Sequence, residues 1–120
     1  MTQARRALGA SGEQAAADWY EQNGYEVVAR NWRCRDGELD LVVRRGRTFV
    51  FCEVKTRRGV GYGAPVEAVT PTKQQRIRAL ALQWLAAHPE RRARDLRFDV
   101  ASVLAARGEA PVIDVLEAAF

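Results

Sequence analysis

Asp40, Glu53 and Lys55 are the residues of this chain whose types and spacing could do chemistry. Twelve residues separate the two acids, and the lysine follows the second acid by two positions. Glu38 to Val43 alternates, with Leu39, Leu41 and Val43 expected on one face and Glu38, Asp40 and Val42 on the other. Thr48 to Lys55 reads as a strand that is apolar on both faces, hence central. The cluster Arg44-Arg45-Gly46-Arg47 between them reads as a turn. Centred on Arg45-Gly46, that turn puts Glu38 opposite Glu53 and Asp40 opposite Phe51, so Glu38, Asp40, Glu53 and Lys55 share one face. A slip of one residue would flip one strand and separate them.

Acids gathered on an apolar sheet raise one another's pKa, and burial adds to the effect. A hard divalent cation relieves both, since Mg²⁺ takes carboxylate, carbonyl and water oxygens at about 2.0–2.1 Å. Asp40, Glu53 and the Val54 carbonyl could supply part of that shell for Mg²⁺ or Mn²⁺, with waters and a phosphate completing it. Lys55 could orient or help deprotonate an attacking water, or equally neutralise charge on the phosphorane. Such a set fits phosphodiester hydrolysis.

The remaining elements must hold that hairpin in place. Ser11-Gly12-Glu13-Gln14 has a capping-box pattern, so a helix is expected from Ser11 to the stop pair Asn23-Gly24, after residues 1–10 read as a flexible lead. Tyr25 to Trp32 reads as a strand. Thr70-Pro71 is a helix start, Ile77, Leu80, Ala81, Trp84 and Leu85 form an apolar stripe, and His88-Pro89 ends it. Leu96 to Leu104 and Val112 to Leu116 read as two last strands. The expectation is a single α/β domain over 1–120, a mixed sheet flanked by helices in the order α-β-β-β-α-β-β.

Composition sets the outer limits. At 120 residues the chain fits one domain. No apolar run approaches a membrane span, and Met1 to Gly12 lacks a signal-peptide core, so the cytoplasm is the expected compartment. Cys34 and Cys52 are too few for a disulfide scaffold and lack zinc spacing. Net charge is +4, and 17 of the 19 basic residues are arginine, which suits a polyanionic partner but also fits genome base composition.

The Asp40…Glu53-Val54-Lys55 pattern resembles the PD-(D/E)xK nuclease superfamily. Gly37-Glu38-Leu39-Asp40, followed by Phe51-Cys52-Glu53-Val54-Lys55-Thr56-Arg57 and a Thr70-Pro71-x-Lys73-Gln74 helix start, is similar to the uncharacterised bacterial YraN-like family, which is related to Holliday junction resolvases. The similarity runs from Gly12-Glu13 to Arg97-Phe98-Asp99. It implies a restriction-endonuclease-like core, Asp40 and Glu53 as metal ligands, Lys55 as catalytic lysine, and Glu13 at the metal directly or through water. Leu39 stands where the superfamily usually has proline.

Blander readings stand beside these. Glu53 and Lys55 could form a surface ion pair worth about 0–1 kcal/mol. Glu13 could simply complement a helix dipole, and Glu38 could be a solvated charge beside the turn. Lys73 and Gln74 sit in a helix first turn, where phosphate contact and ordinary surface polarity are equally plausible. Arg57, Arg58 and Tyr62 join them as nucleic-acid contacts, with Tyr62 able to stack on a base or anchor its loop. Gly59-x-Gly61-x-Gly63 lacks dinucleotide-loop spacing and reads as a substrate-facing loop. His88, the one histidine, reads as a helix C-cap, and Asp99 is a candidate either beside the site or facing outward. The expected function is a metal-dependent DNA endonuclease, with selectivity for branched or non-B-form DNA as a further expectation and a non-cleaving nucleic-acid-binding module as the alternative. DNA is the expected partner, RNA remains open, no membrane is expected, and a homodimer would supply the recognition area that a small domain lacks.

Overall fold

The computed structural model describes residues 3–59 and 69–120, with side chains from Ser11 onward. Helix α1 spans Gln3–Gln22, strands β1, β2 and β3 span Glu26–Cys34, Gly37–Arg45 and Thr48–Arg57, helix α2 spans Pro71–Ala87, and β4 and β5 span Asp95–Leu104 and Val112–Leu116. The expected order is therefore the observed one. The five strands form one sheet in the order β1-β2-β3-β4-β5. Only the β3–β4 pair is parallel, because α2 carries the chain back across the sheet between them.

Each helix covers one face. On the α2 side Leu39, Val42, Phe49, Phe51, Phe98 and Val100 pack under Ile77, Leu80, Ala81 and Trp84. On the α1 side Leu41, Val43, Val50, Cys52 and Ala101 pack under Ala16, Ala17 and Tyr20. This explains why β3 is apolar on both faces: it is central and doubly covered. The α2 start follows from its sequence, since Thr70 accepts a hydrogen bond from the Lys73 N–H at 3.3 Å and Pro71 takes the first helical position. His88 closes it, its Nδ1 lying 2.7 Å from the Trp84 carbonyl and its ring stacked on Trp84.

Three expectations need correction. Helix α1 begins at Gln3, so Ser11 lies inside it and is not its N-cap. The hairpin turn is Gly46-Arg47, closed by the Arg45–Thr48 pair, one residue beyond the expected centre. Pairing therefore shifts by two residues, which keeps the faces of the paired residues up to the last pair, Leu41–Cys52, beyond which the ladder does not set the positions of Asp40 and Glu38. Leu39 does not share a face with Leu41 and Val43. It packs on the α2 side, while they pack on the α1 side.

The alternation breaks at Asp40 for a visible reason. Arg30 pairs with Leu41 and Trp32 with Leu39, so Asn31 lies against Asp40. Asn31 has φ +49, in the left-handed region that asparagine tolerates better than most residues. A residue turned this way re-aims the strand, as bulges do beside functional sites.

Asp99 is fully buried on the α1 face. It accepts from Tyr20 Oη at 2.6 Å, twice from Arg97 at 2.9 Å, and from the Ala118 N–H at 3.0 Å. It thus ties α1, β4 and the C-terminal segment together rather than facing outward, and burial beside it pushes the Tyr20 hydroxyl pKa far up.

Candidate metal and nucleic-acid site

Beyond Leu41–Cys52 the β2–β3 ladder ends, and its backbone groups are released to side chains. The Val54 N–H donates to Asp40 Oδ2 at 3.0 Å. Asp40 therefore fills the gap in the ladder, and its carboxylate is fixed by the strand opposite. Burial raises the Asp40 pKa, with the Val54 N–H acting against it.

Helix α1 supplies a further acid. A Cβ on Gly12 would lie 1.8 Å from Thr56 Oγ1, so only glycine lets the helix approach β3 this closely. Glu13, the next residue, is thereby delivered to the fork between β2 and β3. One carboxylate oxygen from each of Glu13, Glu38 and Asp40 lies within 4.8 Å of the others. Oxygens on opposite sides of an octahedral Mg²⁺ stand roughly 4 Å apart, twice the bond length. The three acids are therefore near enough to one another to be candidates for a shared cation. Burial raises the Glu13 pKa, and the Asn31 side chain, within hydrogen-bonding reach, opposes the rise.

Glu53 faces the α2 side of the fork. Burial first, and the Asp40 charge second, push its pKa up to about 7. Lys55 Nζ lies 3.3 Å from Glu53 Oε1, and both side chains are mostly covered, unlike a surface ion pair. These two line a cleft of about 230 Å³ together with Glu38, Lys73, Arg76 and Gly37. A larger concavity of about 440 Å³ between α1 and β5 holds Asp18 as its one ionisable side chain and lies away from the acids.

Among the described residues Glu13, Glu38 and Asp40 form one carboxylate group, while Glu53 lies outside it, paired with Lys55 in the cleft and linked to the group through the charge of Asp40. Glu38, also paired with Arg33, belongs to the group rather than standing as a solvated charge by the turn, and Asn31 and Arg76, absent from the sequence-based expectations, join the site. Asn31 gave no motif signal, since a left-handed residue inside a strand has no periodic signature. Arg76 lies one helical turn after Lys73 and could have been found by that spacing. The Val54 group engaged here is its N–H.

The nucleic-acid contact residues fare differently. Lys73 lies on the cleft rim. The Gln74 amide instead donates to the Val69 carbonyl at 3.0 Å, securing the chain before α2. Arg58 is exposed just past β3, and Arg57 ends that strand, its carbonyl accepting from the Ala105 N–H. Tyr62, Gly61 and Gly63 lie outside the described residues.

Residues 12–103 match the model of a family described as "Uncharacterised protein family UPF0102". The chain belongs to that family. Similar UPF0102 proteins occur in Nocardia farcinica, 58% identical over 116 residues covering 97% of this chain and 91% of the relative. Another, in Acidothermus cellulolyticus, is 48% identical over 126 residues covering 98% and 96%. A third, in Beutenbergia cavernae, is 53% identical over 113 residues covering 94% and 95%. The UPF0102 match begins at Gly12, the glycine that seats α1 on β3, and includes every acid of the fork. No helix among the described residues is long and apolar enough to cross a membrane.

Proposed function

We propose that this chain is a divalent-metal-dependent DNA endonuclease of the PD-(D/E)xK type, acting on branched or otherwise non-B-form DNA. The observation that carries the reading is the fork: Asp40 anchored on the Val54 N–H, Glu13 and Glu38 within 4.8 Å of it, and Lys55 held at 3.3 Å by Glu53. Acids this concentrated and covered serve no packing purpose, and burial first, with neighbouring charge behind it, raises the pKa of Glu13, Asp40 and Glu53.

Asp40, Glu53 and the Val54 carbonyl would hold Mg²⁺ or Mn²⁺, with Glu13 completing the set directly or through water. The bound cation would supply charge neutralisation at the phosphate and a more acidic water. The Lys55 ammonium, paired with Glu53, would hold the attacking water and offset charge growing on the phosphorane oxygens. Lys73 and Arg76 on the cleft rim would bind the flanking phosphates.

The test is cleavage of labelled four-way junction, flap, single-stranded and linear duplex DNA with Mg²⁺ or Mn²⁺, beside Asp40→Asn and Lys55→Ala. Metal-dependent cutting lost in both variants supports the proposal. Binding without cutting, on every substrate and with cation uptake shown by calorimetry, would make the chain a non-cleaving nucleic-acid module instead.

A further inference from the structure

The far end of the sheet carries a second concentration of charge that the acidic fork does not use. Arg44, Arg45 and Arg47 lie at the β2–β3 turn, and Arg91, Arg92 and Arg94 lie between α2 and β4. Backbone contacts weld the two segments into one surface. The N–H groups of Arg94 and Asp95 donate to the Arg47 carbonyl at 2.9 and 3.2 Å, and Arg47 Nε donates to the Arg92 carbonyl at 3.1 Å.

Three acids lie in the same region, Glu26, Glu90 and Asp95, so the six guanidinium groups outnumber carboxylates two to one. Glu26 lies 2.6 Å from Arg44 and 3.9 Å from Arg91. Among the described residues no carboxylate lies within ion-pair distance of Arg45, Arg47, Arg92 or Arg94, and all four are exposed. Two of them are nonetheless held in place by groups that leave their charge intact. Arg45 donates to the Asn23 carbonyl at 3.3 Å and lies 4.4 Å over the Tyr25 ring, while Arg47 rests on the Arg92 carbonyl. A purely solvated face would leave such side chains loose. Here Arg45 and Arg47 are oriented and positive charge remains in excess, which raises self-repulsion until an anion arrives.

We propose that this arginine pole is a second DNA-contact surface, binding the backbone phosphates of a duplex without sequence preference. Planar guanidinium forks engage phosphate oxygens in pairs, which an ammonium cannot do. Arg47 precedes Glu53 by six strand residues, so the pole stands about 20 Å from the acids along β3 at roughly 3.3 Å per residue. The domain thus has two ends that can hold DNA, and a second arm or a neighbouring stretch of duplex can be engaged while the fork is occupied.

The test is fluorescence anisotropy with a labelled 30-base-pair duplex in EDTA, over a series of salt concentrations. Because nothing is cut in EDTA, the result is independent of whether the fork proves catalytic. The variant Arg47→Gln/Arg92→Asn/Arg94→Gln removes three contacts, and the slope of log affinity against log salt should fall by about 3. Arg94→Gln alone, which disturbs no side-chain contact described above, should lower it by about 1. The triple lysine variant keeps the charges and should retain most of the slope. A folded triple neutral variant, verified by its melting temperature, with an unchanged slope would overturn the proposal. So would absence of duplex binding by the wild-type chain, or equal losses in the neutral and lysine variants.

Discussion

Raising the pH should destabilise this protein in the absence of divalent cations, and adding one should reverse the effect. Glu53 releases its proton near 7 in the folded chain against an ordinary value of 4.5. A raised carboxyl pKa means that the folded state binds the proton more tightly than the unfolded state. The resulting stabilisation is complete below pH 4.5 and is lost as pH climbs through 7. The difference of 2.5 pH units (7 − 4.5), at 1.36 kcal/mol each, amounts to about 3 kcal/mol. For a domain of this size that is a fall in Tm on the order of 10 °C. Asp40 and Glu13, raised in the same direction by burial, add to it. A cation that binds only the folded state at a hundred times its Kd returns about 2.7 kcal/mol. The assay is thermal unfolding by circular dichroism from pH 5 to 8, in EDTA and in Mg²⁺ or Ca²⁺, for wild type and Glu53→Gln. The variant has no proton to lose at that position, so the wild-type decline minus the variant's isolates this carboxyl. A wild-type Tm in EDTA that tracks the variant's across the range, with no response to divalent cations at pH 8, would refute the reasoning.

Three further outcomes are expected. Gly12→Ala should cost about 1–3 kcal/mol in denaturant unfolding, because the new methyl collides with Thr56, and adding Thr56→Ala should recover only part, since the Thr56 Cβ itself lies 2.9 Å away. Asn31→Gly keeps the left-handed backbone but removes the side chain near Glu13, so calorimetric Mn²⁺ affinity should drop about tenfold or more with Tm nearly unchanged, whereas Asn31→Ala should lower both. An equal effect of the two substitutions would show that Asn31 acts through the backbone alone. Cys52 is buried and its thiol pKa is pushed well up by that burial, so mass spectrometry after iodoacetamide treatment should find it unmodified until the chain is unfolded.

Much of the fold is readable from local chemistry. Thr70-Pro71 specifies the start of α2, and the stripe Ile77, Leu80, Ala81 and Trp84 fixes its buried face. The alternation over Leu41–Val43 and the double-sided apolarity of β3 place the hairpin even with the turn misplaced by one residue, because moving a turn by one residue shifts the pairing by two. The meeting of Asp40 with Val54 depends instead on the ladder's ending at Leu41–Cys52. What escapes local reading depends on partners distant in sequence. Ser11 looks like a cap because Gln14 follows it by three residues, yet it lies inside α1, where the neighbouring Gly12 answers to Thr56, forty-four positions on. Leu39 changes face because Asn31, on the neighbouring strand, leaves the extended conformation. Asp99 is satisfied by Tyr20 and by the Ala118 backbone, from opposite ends of the chain.

The hydrogen bond from the Val54 N–H to Asp40 gives the protein a built-in spectroscopic reporter. Backbone amides paired to carbonyls feel little of what happens at a neighbouring carboxylate, but this one donates directly to it. Protonating Asp40, or drawing its oxygens toward a cation, weakens that acceptor and should move the Val54 amide resonance upfield. The amides of the still-paired part of β3 provide the reference. One cross-peak in a nitrogen-15 correlation spectrum can therefore follow occupancy of the fork with no substrate present, and it can be titrated separately against protons and metal ions.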